Sequence, residues 1–334
     1  MIDTPAAAAN DLARLNKPRE VEGILDTYLI RPLGYLVVTL VRPTPVTPNM
    51  LSVASVVAAA GAGACYVAGG LAGALGGLAF VLLLSAFDSA DGQLARATGR
   101  ATDFGRTLDG LCDNFAFLFL YVGLGLSAAR DGFPIPAAIV LGIAAGASHS
   151  LQSVSADFVR LMYLRAVMGQ DGVERERPET LGERREAARR AGSGALLVLI
   201  LHLHAENARK QRWLLRTTDR LERAYDAALA RVPVIRPSFA ARYRDTNLGL
   251  LRAWAFMATN SHKVGIVAAS FVPLVFTAGP LASLGMASYF VYGLLLNGPL
   301  LLLVIAQARR DRRLLAELAV LVASAERTAP ARQA

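Results

Sequence analysis

The chain has 334 residues, 54% of them hydrophobic and only 18% charged, with 35 Lys and Arg against 26 Asp and Glu. The apolar residues gather in blocks of about 20 or more, the length a helix needs to cross roughly 30 Å of hydrocarbon, which excludes an ordinary soluble domain. The net charge of +9 would suit nucleic acid, but the arginines lie between and after the apolar blocks, where a membrane protein keeps them, so no nucleic-acid partner is expected. Cys65 and Cys112 both lie in apolar segments, which excludes a disulfide framework and reads as two small buried thiols.

The expected fold is an all-α integral membrane protein of six transmembrane helices. In chain order, residues 1–47 form an N-terminal tail and an interfacial helix; the first residues are Ala-rich and polar, and no cleavable signal peptide is expected. Within 21–41, Val21, Leu25, Tyr28, Leu33, Leu36 and Leu40 recur at a helix-like spacing that leaves a polar face. The run 33–41 is too short to cross, so this helix is expected to lie on the cytoplasmic surface. Pro43, Pro45 and Pro48 then break it.

Four spans fall within 48–167, at about 49–68, 71–89, 104–128 and 134–164. Gly73 with Gly77, and Gly142 with Gly146, suggest close helix contacts. Residues 168–247 are dense in Arg and Glu and read as a cytoplasmic helical insert; their one continuous apolar run, 195–203, is too short to span. Within it Leu214, Leu221 and Ala228, with Thr218, Tyr225 and Val232, repeat every seven residues, as in a helix packed on a neighbour. The fifth and sixth spans are expected within 248–276 and at 281–308, followed by a basic cytoplasmic tail, 309–334, frayed after Ala323. Arginines crowd alternate flanks, which predicts that both termini and the cytoplasmic-edge aspartates lie on the cytoplasmic side of a multi-pass protein of the cell membrane.

The segment 87–114, FDSADGQLARATGRATDFGRTLDGLCDN, carries the chemistry. Counted from Leu71, the second span has run about 25 Å by Asp88 at 1.5 Å per residue. Asp109 and Asp113 lie one and two turns into the third span, returning from the same side, so all four aspartates with Asp91 share a depth near the cytoplasmic edge. Asp88 and Asp91 are three apart, Asp109 and Asp113 four apart, and each pair lies on one helix face. Four carboxylates gathered there repel one another and are costly to desolvate, so something cationic has to offset them. Acid-only ligands, with no His or Cys among them, favour a hard ion, Mg²⁺ or Mn²⁺, and four can hold two such ions. Gly92 and Gly105 admit close backbone approach, and Arg96 can grip phosphate in a fork. Together these features describe a pyrophosphate site.

The run Asp88-x₂-Asp91-Gly92-x₂-Ala95-Arg96-x₈-Gly105-x₃-Asp109-x₃-Asp113 resembles the signature of the CDP-alcohol phosphatidyltransferase family. The resemblance extends to six spans, a preceding surface helix and a Thr-Pro-Asn lead-in at 47–49. It implies a reaction in which an alcohol attacks a CDP-linked donor, a phosphodiester forms and CMP leaves. It implies Asp88, Asp91 and Asp109 as metal ligands, with Asp113 also at the metals and serving as general base. Asp88, Gly92, Ala95 and Gly105 would line the CDP site and Arg96 would contact donor phosphate. A homodimer is also implied. Six spans point to CDP-diacylglycerol as donor and a polar alcohol as acceptor, the acceptor's identity being left open.

Arg160, His262 and Lys263 are candidates for binding a phosphate on the acceptor, against the plainer readings of an Asp157–Arg160 ion pair and of snorkelling or packing. His149, His202 and His204 lack metal spacing and read as structural or interfacial, as Ser85 and Ser89 read as packing residues. Two rivals stay open: a transferase joining a CDP-linked polar headgroup to another polar alcohol phosphate, and a non-enzymatic divalent-cation-binding membrane protein.

Overall fold

A computed structural model of the chain describes residues 19–169, 177–276, 279 and 284–328. The tail residues 1–18 and 329–334, insert residues 170–176 and the head of the expected sixth span, 281–283, lie outside them. The described residues form helices joined by short turns, with no strand among them. The helices, in order, are α1 (Arg31–Val41), α2 (Pro48–Ala68), α3 (Gly70–Thr98), α4 (Asp103–Arg130), α5 (Ile135–Met168), α6 (Pro178–Arg190), α7 (Ala195–Leu214), α8 (Arg216–Arg231), α9 (Arg236–Trp254), α10 (Thr259–Val275), α11 (Ser288–Leu295) and α12 (Asn297–Thr328). They divide into two compact units, residues 1–148 with 259–295, and residues 149–258 with 296–334.

In the first unit, the helix ends follow from capping chemistry. Thr47 precedes Pro48 and its side chain accepts from the Met50 N–H, which starts α2; Thr102 does the same for Gly105 N–H at the start of α4. Gly99 ends α3 with φ 65°, a left-handed conformation that a side chain rarely adopts. Helix α2 packs along both α3 and α4, while those two pack far less on each other. Small residues permit this: a Cβ on Gly123 would lie 2.4 Å from the Gly63 Cα, and one on Gly73 2.5 Å from the Cys65 carbonyl. Gly142 and Gly146 differ, since a Cβ there would meet Phe290 or Tyr121 at ordinary distances of 3.5 and 3.7 Å. The buried core runs through Ala58, Ala62, Tyr66, Leu84, Leu120, Ile266 and Phe290. Leu118, Phe119, Val122, Ile139, Val140 and Ile143 point outward, an apolar exterior suited to lipid.

The segment before α2 is helical without a break over residues 24–41. A 3-10 turn (Arg19–Val21) and a π-helical turn (Asp26–Ile30) precede α1. Ile30, Gly34 and Val38 form its buried face against α3, while Leu25, Tyr28, Leu36 and Leu40 of the expected apolar stripe are exposed. Gly34 allows the contact: a Cβ there would lie 2.6 Å from Ser89 Oγ.

Among the described residues, five stretches are long and apolar enough to cross a membrane: Pro48–Ala68, Gly70–Thr98, Phe104–Arg130, Ile135–Met168 and Gly285–Arg327. The expected fifth span, within 248–276, is divided. Helix α9 ends at Trp254, Ala255–Met257 form a 3-10 turn, and Ala258 is extended at ψ 158°. What remains, α10, has 17 residues, about 25 Å at 1.5 Å per residue and short of the hydrocarbon thickness. It nevertheless packs on α3 and puts Ile266 and Ala269 into the core.

In the second unit, α6 pairs with α7, and α8 and α9 pack on α12. The seven-residue repeat belongs mostly to α8, where Thr218, Leu221, Tyr225 and Ala228 are buried; α7 and α8 are separate helices that meet at Leu215. Helix α12 does not stop at the arginines near 309. It continues to Thr328, burying Asp311, Leu314 and Leu318.

Candidate active site

The acidic residues sit symmetrically about the turn that joins α3 to α4. Asp88 lies ten residues before Thr98 and Asp113 ten after Asp103; Asp91 and Asp109 lie seven before and six after the same ends. Register therefore matches Asp88 with Asp113 and Asp91 with Asp109, and in each match the carboxyl groups come within hydrogen-bonding range of each other. Because α3 and α4 each pack mainly on α2, the four carboxylates face one another across a cleft with α2 alongside. Ser52, on α2, donates to Asp91 Oδ2 at 2.5 Å, and the Gly92 N–H donates to Asp91 Oδ1.

A cation faces these acids. Lys263 Nζ of α10 lies 3.1 Å from Asp88 Oδ2, with the lysine side chain 4% exposed and that of Asp88 27%. Its neighbour His262 turns the other way: Nδ1 is 3.1 Å from Tyr289 Oη, which is 3.2 Å from Tyr121 Oη. Asn260, one turn earlier, donates to Asp26.

Arg96 is exposed in the last turn of α3 and folds back along it, its Nη1 lying 3.3 Å from where a Cβ on Gly92 would stand. The atoms nearest such a Cβ all belong to the Arg96 side chain. Ala95 is half-buried on the same helix. Gly105 has a local reason to be glycine, since a Cβ there would meet Thr102 Oγ1 at 3.1 Å and Asn49 Oδ1 at 3.3 Å. Arg160 belongs to the second unit, where it pairs with Asp157 at 2.8 Å.

Three further side chains join this neighbourhood. Arg31 pairs with Glu22 at 2.9 Å and reaches Ser89 Oγ at 3.5 Å, while Gln93 donates to the Arg31 carbonyl at 3.2 Å. Ser52 is the third. In the sequence Arg31 is only one of several flanking charges and Ser52 an ordinary small residue of a span; neither carries a signal of its own. Ser89, read as a packing residue, is buried and bonded to both Arg31 and Gln93.

The donor set suits a hard divalent cation: all four groups are carboxylates, in two close pairs, with one ammonium to offset them. Among the described residues no three His, Cys, Asp or Glu side chains already converge on one metal-sized position. Asp88 holds Lys263 instead, and Asp91 holds Ser52.

Helices long and apolar enough to cross a membrane several times, with four carboxylates gathered between two of them, define a multi-pass membrane protein. The model of the CDP-alcohol phosphatidyltransferase family matches residues 45–216, just over half of the chain, and the chain belongs to that family. Membership makes it a transferase that takes a CDP-alcohol and an alcohol as its substrates. The match runs from the lead-in of α2 to the first residue of α8, and thus leaves Lys263 and α10 outside it. Comparisons with curated proteins and with solved structures each returned no match.

Proposed function

We propose that the chain transfers the phosphatidyl group of CDP-diacylglycerol to a hydroxyl of a polar alcohol and releases CMP. The observation that supports this most is the meeting of two aspartate pairs, from antiparallel spans, in one cleft beside the Gly92 backbone. In the reaction the acceptor oxygen forms a bond to the donor's β-phosphorus, the bond from that phosphorus to the CMP oxygen breaks, and the acceptor proton passes to a base. Mg²⁺ or Mn²⁺, two ions held by Asp88, Asp91, Asp109 and Asp113, would neutralise the pyrophosphate and stabilise the leaving CMP.

The chain's own residues do the rest. Asp113, on the α4 wall and paired with Asp88, accepts the hydroxyl proton. Gly92, Ala95 and Gly105 accept the cytidine side of the donor, and Arg96, beside Gly92, contacts phosphate. Ser52 and the Gly92 N–H fix the Asp91 carboxylate. The outward apolar surface lets a lipid donor enter from the bilayer. Arginine-rich flanks support cytoplasmic termini and a cytoplasmic site, and α10, in the core of the bundle despite its length, supports a sixth, short span. A homodimer completes the reading.

Purified protein incubated with Mg²⁺, CDP-diacylglycerol and one alcohol at a time should release CMP with at least one acceptor. Asp113→Ala should lower that rate by about 10²–10⁴-fold, the range of a lost general base. CMP release undiminished in Asp113→Ala removes the assigned base, and no CMP from any pair sinks the reaction. CMP from a CDP-linked headgroup alone would move the chain to headgroup-to-headgroup transfer.

A further inference from the structure

We propose that Lys263 is a built-in counter-cation of the acidic cleft: it holds Asp88 while no divalent ion is bound, gives way when one binds, and so sets how tightly the cleft takes metal. The inference rests on the reading of the aspartates as metal ligands.

A buried ammonium needs an anionic partner, because the cost of taking it out of water is repaid only by close pairing. Lys263 has that partner in Asp88 Oδ2 at 3.1 Å, with Asp113 next in reach. Arg31, by contrast, is taken up by Glu22 and Ser89. Lys263 is in direct contact with a member of the cluster. A divalent ion sits about 2 Å from a carboxylate oxygen. Bound at Asp88, it would press against an ammonium already in contact with the same oxygen, and two cations that close repel strongly.

Besides Asp88 and Asp113, the charge of Asp26, which Asn260 holds one turn earlier on α10, also acts on Lys263. The flexible four-carbon stem lets the charge swing between acids without moving the helix. A fixed structural ion pair makes the opposite demand, since removing its lysine disrupts the cleft and weakens metal binding.

The test uses the full chain in lipid nanodiscs with Mn²⁺ alone, no nucleotide, reading free Mn²⁺ by its paramagnetic resonance and stability by thermal unfolding. Lys263→Met should bind Mn²⁺ about tenfold or more tightly than the wild type, the order by which groups around a metal's ligands tune affinity. It should unfold at lower temperature than the wild type in chelator, with Mn²⁺ closing the gap. Lys263→Gln, whose amide still bonds Asp88, should show the same gain in affinity and guards against a Met variant too unstable to handle. Lys263→Arg, which keeps the charge, should stay near the wild type. Binding in the Met and Gln variants equal to or weaker than the wild type overturns the proposal and leaves the metal reading intact. No binding in any of the chains overturns both. Binding in the neutral variants alone supports the proposal.

Discussion

Gly92 stands inside a helix, where glycine costs about 1 kcal/mol against alanine. No neighbour demands it sterically: a Cβ would meet only the far end of Arg96, 3.3 Å away, and the backbone is ordinary helix. A residue that weakens its own helix where no rigid neighbour excludes a side chain is best explained by a ligand that must approach the backbone. Gly92→Ala should therefore hold or raise the unfolding temperature while weakening CDP binding about tenfold or more, as a misplaced ligand in a close-fitting site does. Calorimetric titration with CDP beside a thermal melt reads both, and unchanged affinity would return Gly92 to a packing role. Gly105 makes the contrast, because Thr102 and Asn49 crowd it and account for its lack of a side chain. The sequence treats the two glycines alike; only their neighbours separate them.

At the scale of elements, α10 shows what apolar runs conceal. Residues 255–258 read Ala-Phe-Met-Ala, with no Gly or Pro, so only the polar run Thr259–Lys263 that follows hints at the break that shortens the fifth span. By contrast α2, α3 and α4 announce themselves through the length of their apolar runs, and the sequence sets each aspartate pair on one helix face at a shared depth; which carboxylate meets which across the turn is added by the structure. Lys263 joins Asp88 across 175 residues of sequence, a contact no local pattern encodes. What holds α10 in the rotation that aims Lys263 at the cleft is the chain His262–Tyr289–Tyr121, with His262 and Tyr289 fully buried. Tyr289 is its middle member, so Tyr289→Phe breaks both bonds at once and should cost about 1–3 kcal/mol. Tyr121→Phe removes one and should cost less. Denaturant titration of the two variants in micelles checks the order, and equal or reversed losses would remove the chain's role in placing α10.

For the molecule as a whole, the second unit depends on the segment that looked like a basic tail. Arg309, Arg310, Arg312 and Arg313 suggest a solvated end, yet Asp311 among them is fully buried. It accepts from Thr218 at 2.6 Å, Thr217 at 3.3 Å and Gln307 at 2.8 Å, and Gln307 in turn bonds Asn247 and accepts from Trp254. An isolated acid between arginines gives no hint of such partners, since they come from α8 and α9 far along the chain. The network ties α12 to both of those helices, with Leu314 and Leu318 buried one and two turns further on. Removing 309–334 would strip the partners from Thr218 and expose the apolar faces of α8 and α9, including Leu221 and Tyr225. That deletion should make 177–258 sensitive to limited proteolysis, whereas deletion of 329–334 alone should leave the digestion pattern unchanged. Asp311→Ala belongs between them. It leaves the hydroxyls of Thr217 and Thr218 and the Gln307 amide without their acceptor, each loss of the order of 1–3 kcal/mol. Mass spectrometry of the fragments reads the result, and a 309–334 deletion that resists protease as well as the full chain would show α12 to be dispensable to this unit.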